Sequence, residues 1–326
     1  MQVIENVIGN RIKFRHLHTF VEVARQKSVV KASEILNISQ PAVTKTIREL
    51  EEVLGVPVLE REGRGIRLTR FGEVFLRHAG TALTALRQGL DSVSQELDGS
   101  GPPIRIGALP TVSTRIMPKA MSLYLSEKVA SRVKIITGEN AVLLEQLRVG
   151  DLDLVVGRLA APEKMTGFSF EHLYSEQVRF LVRAGHPLTD GRAVFDRLAD
   201  YPVLMPTRNS IIRPFVERLL IANGIGALPI QIETVSDAFG RAFVRDSDAV
   251  WIISEGVAAR DVAEGKLVFL PIDTSETTGP VGLTMRTDMV ATASLQMLIQ
   301  ILRQVSGDSV LEMQSILRPK RVSPRI

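Results

Sequence analysis

Residues 32–54 read ASEILNISQPAVTKTIRELEEVL, and this stretch decides the fold of the N-terminal part of the chain. The tripeptide Asn-Ile-Ser at 37–39 interrupts a short helical segment. Beyond it, apolar residues recur at intervals of four, three and four, namely Val43, Ile47, Leu50 and Leu54. That spacing places one apolar stripe along a second helix. The stretch therefore predicts a helix-turn-helix over residues 29–48.

The second helix has a marked beginning and a polar outer face. Ser39 stands where its hydroxyl would cap the helix, and Pro41 falls in the first turn, where its missing N–H is tolerated. With the stripe turned inward, the outer side carries Gln40, Thr44, Lys45 and Arg48. Such a face fits a DNA major groove. An ordinary solvated helix carries the same residue types, so this pattern alone leaves both interpretations open.

Composition and charge indicate a globular protein with a basic N-terminal segment. The chain has 326 residues, 45% hydrophobic and 23% charged, which is enough for two or three folding units. Its formal charge is +4, and the first 72 residues alone contain twelve Lys or Arg against eight Asp or Glu. The absence of cysteine excludes disulfides, Cys-ligated zinc and thiol catalysis. With no long apolar run and no signal-peptide pattern, a cytoplasmic location is expected.

The segments on either side of the helix-turn-helix support it. Residues 14–26 have the spacing of an amphipathic helix that would complete a three-helix core. Residues 56–73, VPVLEREGRGIRLTRFGE, predict a β-hairpin wing around a turn at 62–65. The wing carries basic residues suited to phosphate contacts, Arg61, Arg64, Arg67 and Arg70. The alternative is a solvated basic turn.

A long helix is expected next. Leucine repeats every seven residues, at Leu76, Leu83, Leu90 and Leu97. This heptad pattern predicts a seam that pairs two chains, and the alternative is a long helix packed on its own domain. The segment DGSGPP at 98–103 then marks a domain boundary.

The second half of the chain predicts an α/β structure of two similar lobes. Strand and helix patterns alternate over residues 104–157 and again over 202–253, which indicates parallel sheets, with the lobes joined near 179–183. The tail over 307–326 looks disordered, and its basic residues offer a weaker hypothesis of DNA contact.

Polar corners follow the strands of both lobes, where open α/β sheets bind ligands. The candidate effector-binding residues are Thr111, Ser113, Asn140, Thr207, Asn209, Ser210, Arg213 and Ser236. Arg213 and its neighbour Arg208 suit a carboxylate partner. Each hydroxyl or amide taken singly is better explained as a helix cap, and only the recurrence of such residues at equivalent corners of the two lobes points to a site.

The sequence offers no catalytic constellation. None of the five histidines has zincin spacing, and neither a Gly-x-Ser-x-Gly motif nor a phosphate-binding glycine loop occurs. We therefore expect neither an enzyme nor a bound metal or cofactor.

The order of these parts resembles the LysR-type transcriptional regulators. The resemblance is carried by SQPAV at 39–43, LE..LG at 50–55 and LT..G at 68–72. It implies an all-α winged helix-turn-helix domain at 12–70, a dimerisation linker helix at 71–98 and a two-lobed effector domain at 99–306. The effector domain would have the periplasmic-binding-protein-like (type 2) fold, and the assembly would be a dimer of dimers. The chain departs from the family at 58–60, Val-Leu-Glu, and at 32–33, Ala-Ser.

The resemblance also implies residue roles. The DNA-binding set would be Ser39, Gln40, Pro41, Thr44, Lys45, Arg48, Arg61 and Arg64, with Arg61 as the wing arginine. Thr111 and Asn140 match positions that hold effector carboxylates in the aromatic-acid sensors of the family. Stretches such as residues 138–165 are similar to regulators of protocatechuate catabolism, which implies an activator of such an operon.

The expected partners are operator DNA, a carboxylate co-inducer, further copies of the chain and, as a candidate, RNA polymerase. Three alternatives remain at this point. One is a LysR-type regulator with another effector, such as a sugar-linked signal. The others are a small-molecule enzyme or carrier with a basic appendage, and a nonspecific architectural DNA protein.

Overall fold

The computed structural model describes residues 11–63, 65–98, 101–128 and 131–317. The described helices are α1 Phe14–Gln26, α2 Val29–Leu36, α3 Gln40–Leu54, α4 Arg70–Asp98, α5 Pro110–Ser113, α6 Ile116–Ser126, α7 Asn140–Arg148, α8 Val194–Arg197, α9 Arg213–Ala222, α10 Asp237–Arg245, α11 Glu255–Ala263 and α12 Ala293–Leu317. The described strands are β1 Leu59–Glu62, β2 Gly65–Leu68, β3 Gly101–Ala108, β4 Ser131–Thr137, β5 Leu154–Arg158, β6 Phe168–Glu176, β7 Val178–Arg183, β8 Val203–Met205, β9 Gln231–Glu233, β10 Val250–Ser254, β11 Leu267–Phe269 and β12 Gly279–Arg286.

The boundaries of α2 and α3 follow from local chemistry. Asn37 adopts the left-handed conformation, with φ 52°, and ends α2. Ser39 Oγ accepts a hydrogen bond from the backbone N–H of Ala42 at 3.4 Å, and Gly55, with φ 70°, ends α3. The predicted cap at Ser39 and the helix that follows it are confirmed.

One core joins the three N-terminal helices. Val43, Ile47 and Leu50 of α3 are buried against Phe20 of α1, as the apolar stripe predicts, and Leu76 of α4 closes the core. Burial of each such side chain contributes about 1.5–3 kcal/mol relative to exposure. The helix-turn-helix is therefore held as one rigid unit.

The wing forms as predicted and is tied to α3. Strands β1 and β2 pair antiparallel, with Leu59 opposite Leu68. Glu51 Oε1 of α3 accepts hydrogen bonds from the backbone N–H groups of Val58 at 2.8 Å and Leu59 at 3.3 Å. One carboxylate thus sets the wing against α3. Arg64, expected in the turn of the wing, lies outside the described residues.

Two five-stranded sheets form the two lobes. Lobe I has the order β4-β3-β5-β12-β6 and lobe II the order β9-β8-β10-β7-β11. Matching positions from the two lobes therefore appear in the same order across both sheets. The predicted strands pair parallel within each lobe, whereas β12 and β6 in lobe I, and β7 and β11 in lobe II, add antiparallel pairs.

The chain crosses between the lobes twice. One crossing is at Gln177, between β6 and β7, and the other lies at 270–278, between β11 and β12. The expectation of a joint near 179–183 is wrong, because those residues belong to β7 in the sheet of lobe II. Thr277 stitches the crossings together, since its Oγ1 accepts from Val178 N at 2.9 Å and donates to Thr274 O at 2.7 Å.

The two halves of α4 differ in how far the apolar positions of its heptad pattern are buried. Leu76, Ala79 and Leu83 are buried within the chain, whereas Leu86 and Leu90, further along, are 47% and 63% exposed. Packing on the chain's own domains therefore uses the first half of the seam. The second half leaves an apolar face uncovered.

The middle of α4 rests on lobe I at the turn after α7. Arg87 Nη1 donates to Gly150 O at 3.1 Å, and Arg286 Nη1 donates to Thr84 Oγ1 at 3.3 Å. Gly150 has φ 80°, and a Cβ at this position would overlap Thr84 Oγ1, so glycine permits both the turn and the close approach.

The expected disordered tail is wrong for residues 307–317, because α12 includes them. Leu298, Leu302 and Val305 anchor this helix in the core of lobe I. Once such a helix is nucleated, each further residue adds a hydrogen bond, so the helix can continue beyond residue 306. Residues 318–326 lie outside the described part of the chain. Within that described part, no helix combines the length and apolar character needed to span a membrane.

Candidate functional sites: the recognition helix and the interlobe cleft

The outer face of α3 carries the predicted DNA-reading residues together. Gln40, Pro41, Lys45 and Arg48 are exposed and Thr44 is half-buried. They line a shallow depression of about 650 Å³ that continues to Glu49 and Glu52. Because residues 40, 44 and 48 are spaced four apart, their side chains form one row along the helix. This row is open to a partner along its whole length.

Glu49 ties the recognition helix to α1 and was not among the predicted site residues. Its carboxylate lies 2.9 Å from Arg15 Nη2 and 3.2 Å from His16 Nε2, and the hydrogen bond from Arg15 is the main cause that lowers the pKa of Glu49. His16 Nδ1 accepts from Lys13 N at 3.2 Å, so its Nε2 carries the hydrogen that Glu49 accepts. The sequence offered one signal for this contact, the histidine at the third position of α1, His16.

The described wing arginines differ in their contacts. Arg61 is exposed on β1. Arg67 lies 2.8 Å from Glu60 across the hairpin, and Arg70 stacks 5.2 Å from the ring centre of Phe71. Arg61 is therefore the described wing arginine whose position best suits a phosphate contact.

In lobe I, the predicted effector residues lie at the carboxyl ends of β3 and β4. Thr111 is buried, and its Oγ1 donates to Glu176, at 2.7 Å from Oε1 and 2.6 Å from Oε2. Asn140 Nδ2 donates to Arg158 O at 3.1 Å, while its buried Oδ1 has no hydrogen-bond partner among the described residues. Ser113 is half-buried and donates to Pro110 O.

In lobe II, the predicted residues differ from one another in exposure and in their contacts. Thr207 Oγ1 donates to Glu139 Oε1 across the cleft at 2.8 Å. Ser210 is half-buried in the same turn, Asn209 is exposed, and Ser236 is an exposed cap that accepts from Phe239 N at 3.2 Å.

Arg213 is already occupied within lobe II. It contacts Glu217 at 2.7 Å and Glu233 at 2.9 Å and donates to Pro206 O at 2.7 Å. Arg208 is largely exposed, 4.0 Å from Glu233. Arg213 was expected to pair with a ligand carboxylate, but in the structure it pairs with two glutamates of the chain itself.

Arg158 is the cation that the structure brings into the cleft. It is 3% exposed, its Nη2 donates to Thr277 O, and its guanidinium lies 4.9 Å from the ring centre of Phe215 in lobe II. Its buried Nη1 has no hydrogen-bond partner among the described residues. Burial lowers the pKa of Arg158, yet a guanidinium stays charged in proteins. An arginine directly after the apolar strand 154–157 was the signal for this residue in the sequence.

Glu176 faces the same space from the end of β6. It is 1% exposed, and burial raises its pKa, with opposing contributions from Thr111 and Arg158. Tyr174 on the same strand is also buried, and burial is the main cause that raises its pKa. The cleft thus contains a buried polar cluster in which the Glu176 carboxyl group lies near Arg158, whose Nη1 is unpaired among the described residues. Among the described residues, no group of His, Asp or Glu side chains is arranged to hold a metal ion.

Two family models match the chain. The model described as "LysR substrate binding domain" matches residues 98–307, and "Bacterial regulatory helix-turn-helix protein, lysR family" matches residues 14–73.

Curated relatives match over nearly the full length. The transcriptional regulator PcaQ of Agrobacterium fabrum is 71% identical over 303 residues, which cover 93% of this chain and 97% of the relative. The uncharacterised transcriptional regulator YdcI of Escherichia coli is 32% identical over 299 residues, which cover 92% and 97%.

Solved structures share the fold. Full-length LysG of Corynebacterium glutamicum with its effector Arg bound superposes with a TM-score of 0.59 at 19% identity, covering 91% of this chain and 99% of that one. Full-length CbnR in complex with its target DNA has a TM-score of 0.51 at 22% identity, covering 90% and 100%.

Proposed function

This chain belongs to the LysR family of bacterial transcriptional regulators, and from that premise we propose that it activates an operon for protocatechuate catabolism. Its signal would be a carboxylated intermediate of that pathway, bound between the lobes. The pathway assignment is supported by the 71% identity to PcaQ over nearly the full length of both chains. No catalytic step is part of this function, and a protein that binds chromosomal operator DNA works in the cytoplasm.

Recognition of the operator is assigned to α3 and the wing. In this proposal Gln40, Pro41 and Thr44 face bases, Lys45 and Arg48 contact bases or backbone, and Ser39 holds the start of the helix. Arg61 and Arg64 contact phosphates from the wing. The exposure of the α3 row supports these roles.

Assembly is assigned to the uncovered half of α4. Leu86, Leu90 and Val93 present an apolar face, which supports pairing of two linker helices and presentation of two recognition helices to two half-sites. The domain limits 12–70, 71–98 and 99–306 and a dimer of dimers belong to the same proposal.

The unpaired Nη1 of Arg158 carries the effector half of the proposal. A buried donor nitrogen that lacks a hydrogen-bond partner is costly unless a ligand satisfies it. Thr111, Asn140 and Arg158 would hold one carboxylate from lobe I, and Thr207 and Ser210 would contact the effector from lobe II. Ser113, Asn209 and Ser236 are peripheral in this arrangement, and Arg213 keeps its bonds to Glu217 and Glu233.

Closure of the lobes on the effector would change their relative angle, and α4 would pass that change to the recognition helices. RNA polymerase is the candidate partner that reads the result. A regulator responding to a sugar-linked signal is the alternative, and the test includes it.

Fluorescence anisotropy of the protein on duplexes flanking its own gene tests this function. We expect tight binding to one palindromic duplex that survives competitor DNA and weakens steeply with salt. Protocatechuate and the tricarboxylate formed by its ring cleavage should then alter the complex, whereas glucose and galactose should not. Uniform binding to all duplexes would refute the proposal of sequence-specific operator binding. A response to the sugars alone would refute the proposal of a carboxylate effector.

A further inference from the structure

The effector cleft already contains a carboxyl group of its own. Glu176 is 1% exposed, and the Thr111 hydroxyl bonds to it at 2.6–2.7 Å. We propose that Glu176 competes internally with the effector carboxylate, so that the effector binds together with one proton, which Glu176 takes up from solvent. This inference rests on the proposed function, because it requires an anionic effector in the same cleft.

The hydrogen bonds of Thr111 create the competition. A threonine hydroxyl has one hydrogen, and Thr111 donates it to Glu176. An ionised carboxylate only accepts, so Thr111 would have no hydrogen to give an effector carboxylate placed beside it, and Glu176 would repel that carboxylate. Gly256 lies close to this carboxyl group, since a Cβ added at Gly256 would lie 3.0 Å from Glu176 Oε2.

Several charged and polar groups surround Glu176. Arg158 faces it from β5, Glu255 from the start of α11 and Tyr174 from its own strand, and Ser254 adds a hydrogen bond. Glu255 is paired with Arg179 at 3.3 Å.

This cluster contains the carboxyl groups of Glu176 and Glu255 and the guanidinium groups of Arg158 and Arg179, and Arg115 lies 5.7 Å from the ring centre of Tyr174. An added effector carboxylate would stand beside ionised Glu176 in a buried space, where two neighbouring carboxylates repel each other strongly. A proton on Glu176 removes that repulsion.

Protonation of Glu176 also makes a hydrogen-bond donor available to the effector. A neutral Glu176 carboxyl can donate its hydrogen to Thr111 Oγ1, which frees the Thr111 hydrogen for the effector. The Nη1 of Arg158 supplies a further donor to the same carboxylate. Burial already raises the pKa of Glu176, so this carboxyl is poised to accept the proton.

Isothermal titration calorimetry of the full-length protein measures the proton directly. The probe is the ring-cleavage tricarboxylate of protocatechuate, titrated at pH 6.5, 7.5 and 8.5 in two buffers of different ionisation enthalpy. We expect uptake of about one proton per bound probe in wild type and a Kd that rises with pH, by up to about tenfold per unit. The variant Glu176→Gln has no titratable group at this position, so it should show no proton uptake on binding the probe and a Kd that does not depend on pH.

Asp153→Asn is the matched control. Asp153 is also a buried carboxyl of lobe I with a pKa raised by burial, but it stands at the opposite end of β5 from Arg158. This variant should keep the proton uptake of wild type. Operator binding of each variant verifies that it is folded, and the proton count of wild type decides the matter even if Glu176→Gln does not fold.

The outcomes separate the two proposals. Binding of the tricarboxylate by wild type without proton uptake, with the same pH profile in Glu176→Gln, overturns the role of Glu176 and leaves the effector class standing. Absence of binding in wild type at every pH overturns the proposed effector class and this inference with it.

Discussion

Arg25, at the end of the first helix, lies 3.0 Å from Asp151 in lobe I, so the DNA-binding domain is joined to the effector domain by an ion pair outside the linker helix. Asp151 also lies 3.4 Å from Arg87 of α4. It follows Gly150 in the turn after α7, and the other end of α7 begins with Asn140 in the effector cleft. One short helix therefore connects the cleft with the contact to the DNA-binding domain.

Asp151→Asn should loosen this contact. Arg25 and Arg87 would both lose their contact with the Asp151 carboxylate, while Arg25 keeps Glu22 at 3.5 Å. Partly exposed pairs of this kind contribute about 0.2–1 kcal/mol each. We expect amide hydrogen exchange over residues 77–87 of α4 to quicken by up to about fivefold per lost pair. Asp190→Asn, which breaks the pair with Arg197 on the surface of lobe II, is the control and should leave α4 unchanged. Equal exchange in all three proteins would contradict the coupling.

Arg48→Ala should weaken operator binding. The side chain projects from the exposed row of α3, and a contact of this kind to a base contributes about 1–3 kcal/mol, or roughly 5- to 150-fold in affinity. Anisotropy on the palindromic duplex measures the loss. Arg260→Ala removes an equal charge from an exposed position in lobe II and should bind like wild type. An Arg48 variant with unchanged affinity would move the reading face elsewhere.

Thr111→Val should retain operator affinity and lose the effector response. The change keeps the shape of the side chain but removes the hydroxyl that bonds to Glu176, and an unpaired buried acceptor destabilises by about 1–3 kcal/mol. Anisotropy with and without the tricarboxylate measures the response, and denaturant unfolding measures the stability. Thr114→Val, an exposed neighbour that donates only to Pro110 O in the described structure, should respond normally. A normal response in both variants would place the effector site away from Thr111.

Glu51→Ala should release the wing from α3. Two backbone N–H groups, of Val58 and Leu59, would lose their acceptor, and each unpaired donor costs about 1–3 kcal/mol where it stays buried. We expect a lower free energy of unfolding and weaker operator binding. Glu34→Ala, at an exposed position on α2, serves as control for the lost charge. Unchanged stability would mean that the hairpin does not need this anchor.

Lobe II should lose stability in mild acid through His186. Its Nδ1 accepts from Leu188 N and its Nε2 donates to Asp248 O, and burial lowers its pKa. The unfolded chain takes up a proton near pH 6.5 that native His186 resists, so stability falls as the pH drops below that value.

Denaturant unfolding at pH 7.5 and 5.5 should therefore show a larger loss in wild type than in His186→Gln, by at most about 1.4 kcal/mol per pH unit. His172→Asn, an exposed histidine, should behave as wild type. Equal losses in all three proteins would show that His186 does not titrate in this way.

Local patterns were sufficient to predict the elements of the fold. The helix α1, the cap at Ser39, the stripe of α3 and the wing all follow from spacing and capping within a few residues. The alternating strands and helices of both lobes could be predicted for the same reason. The antiparallel strands could not, because the pairing of β12 with β5 and β6 joins segments that are distant in sequence.

The polar centre of the cleft was decided by tertiary structure alone. Thr111 was recognisable as a polar residue after a strand, but its partner Glu176 stands 65 positions away in the sequence. Arg158 becomes a cleft residue because the chain crosses back to lobe I near Thr277, 119 positions later. The backbone oxygen of Thr277 there accepts a hydrogen bond from Arg158. Periodicity and capping report only on near neighbours, whereas burial and charge pairing depend on which strands the sheet brings side by side. The sequence by itself therefore determined the helix-turn-helix and its exposed polar row, and only the tertiary structure decided which cation and which acid meet between the lobes.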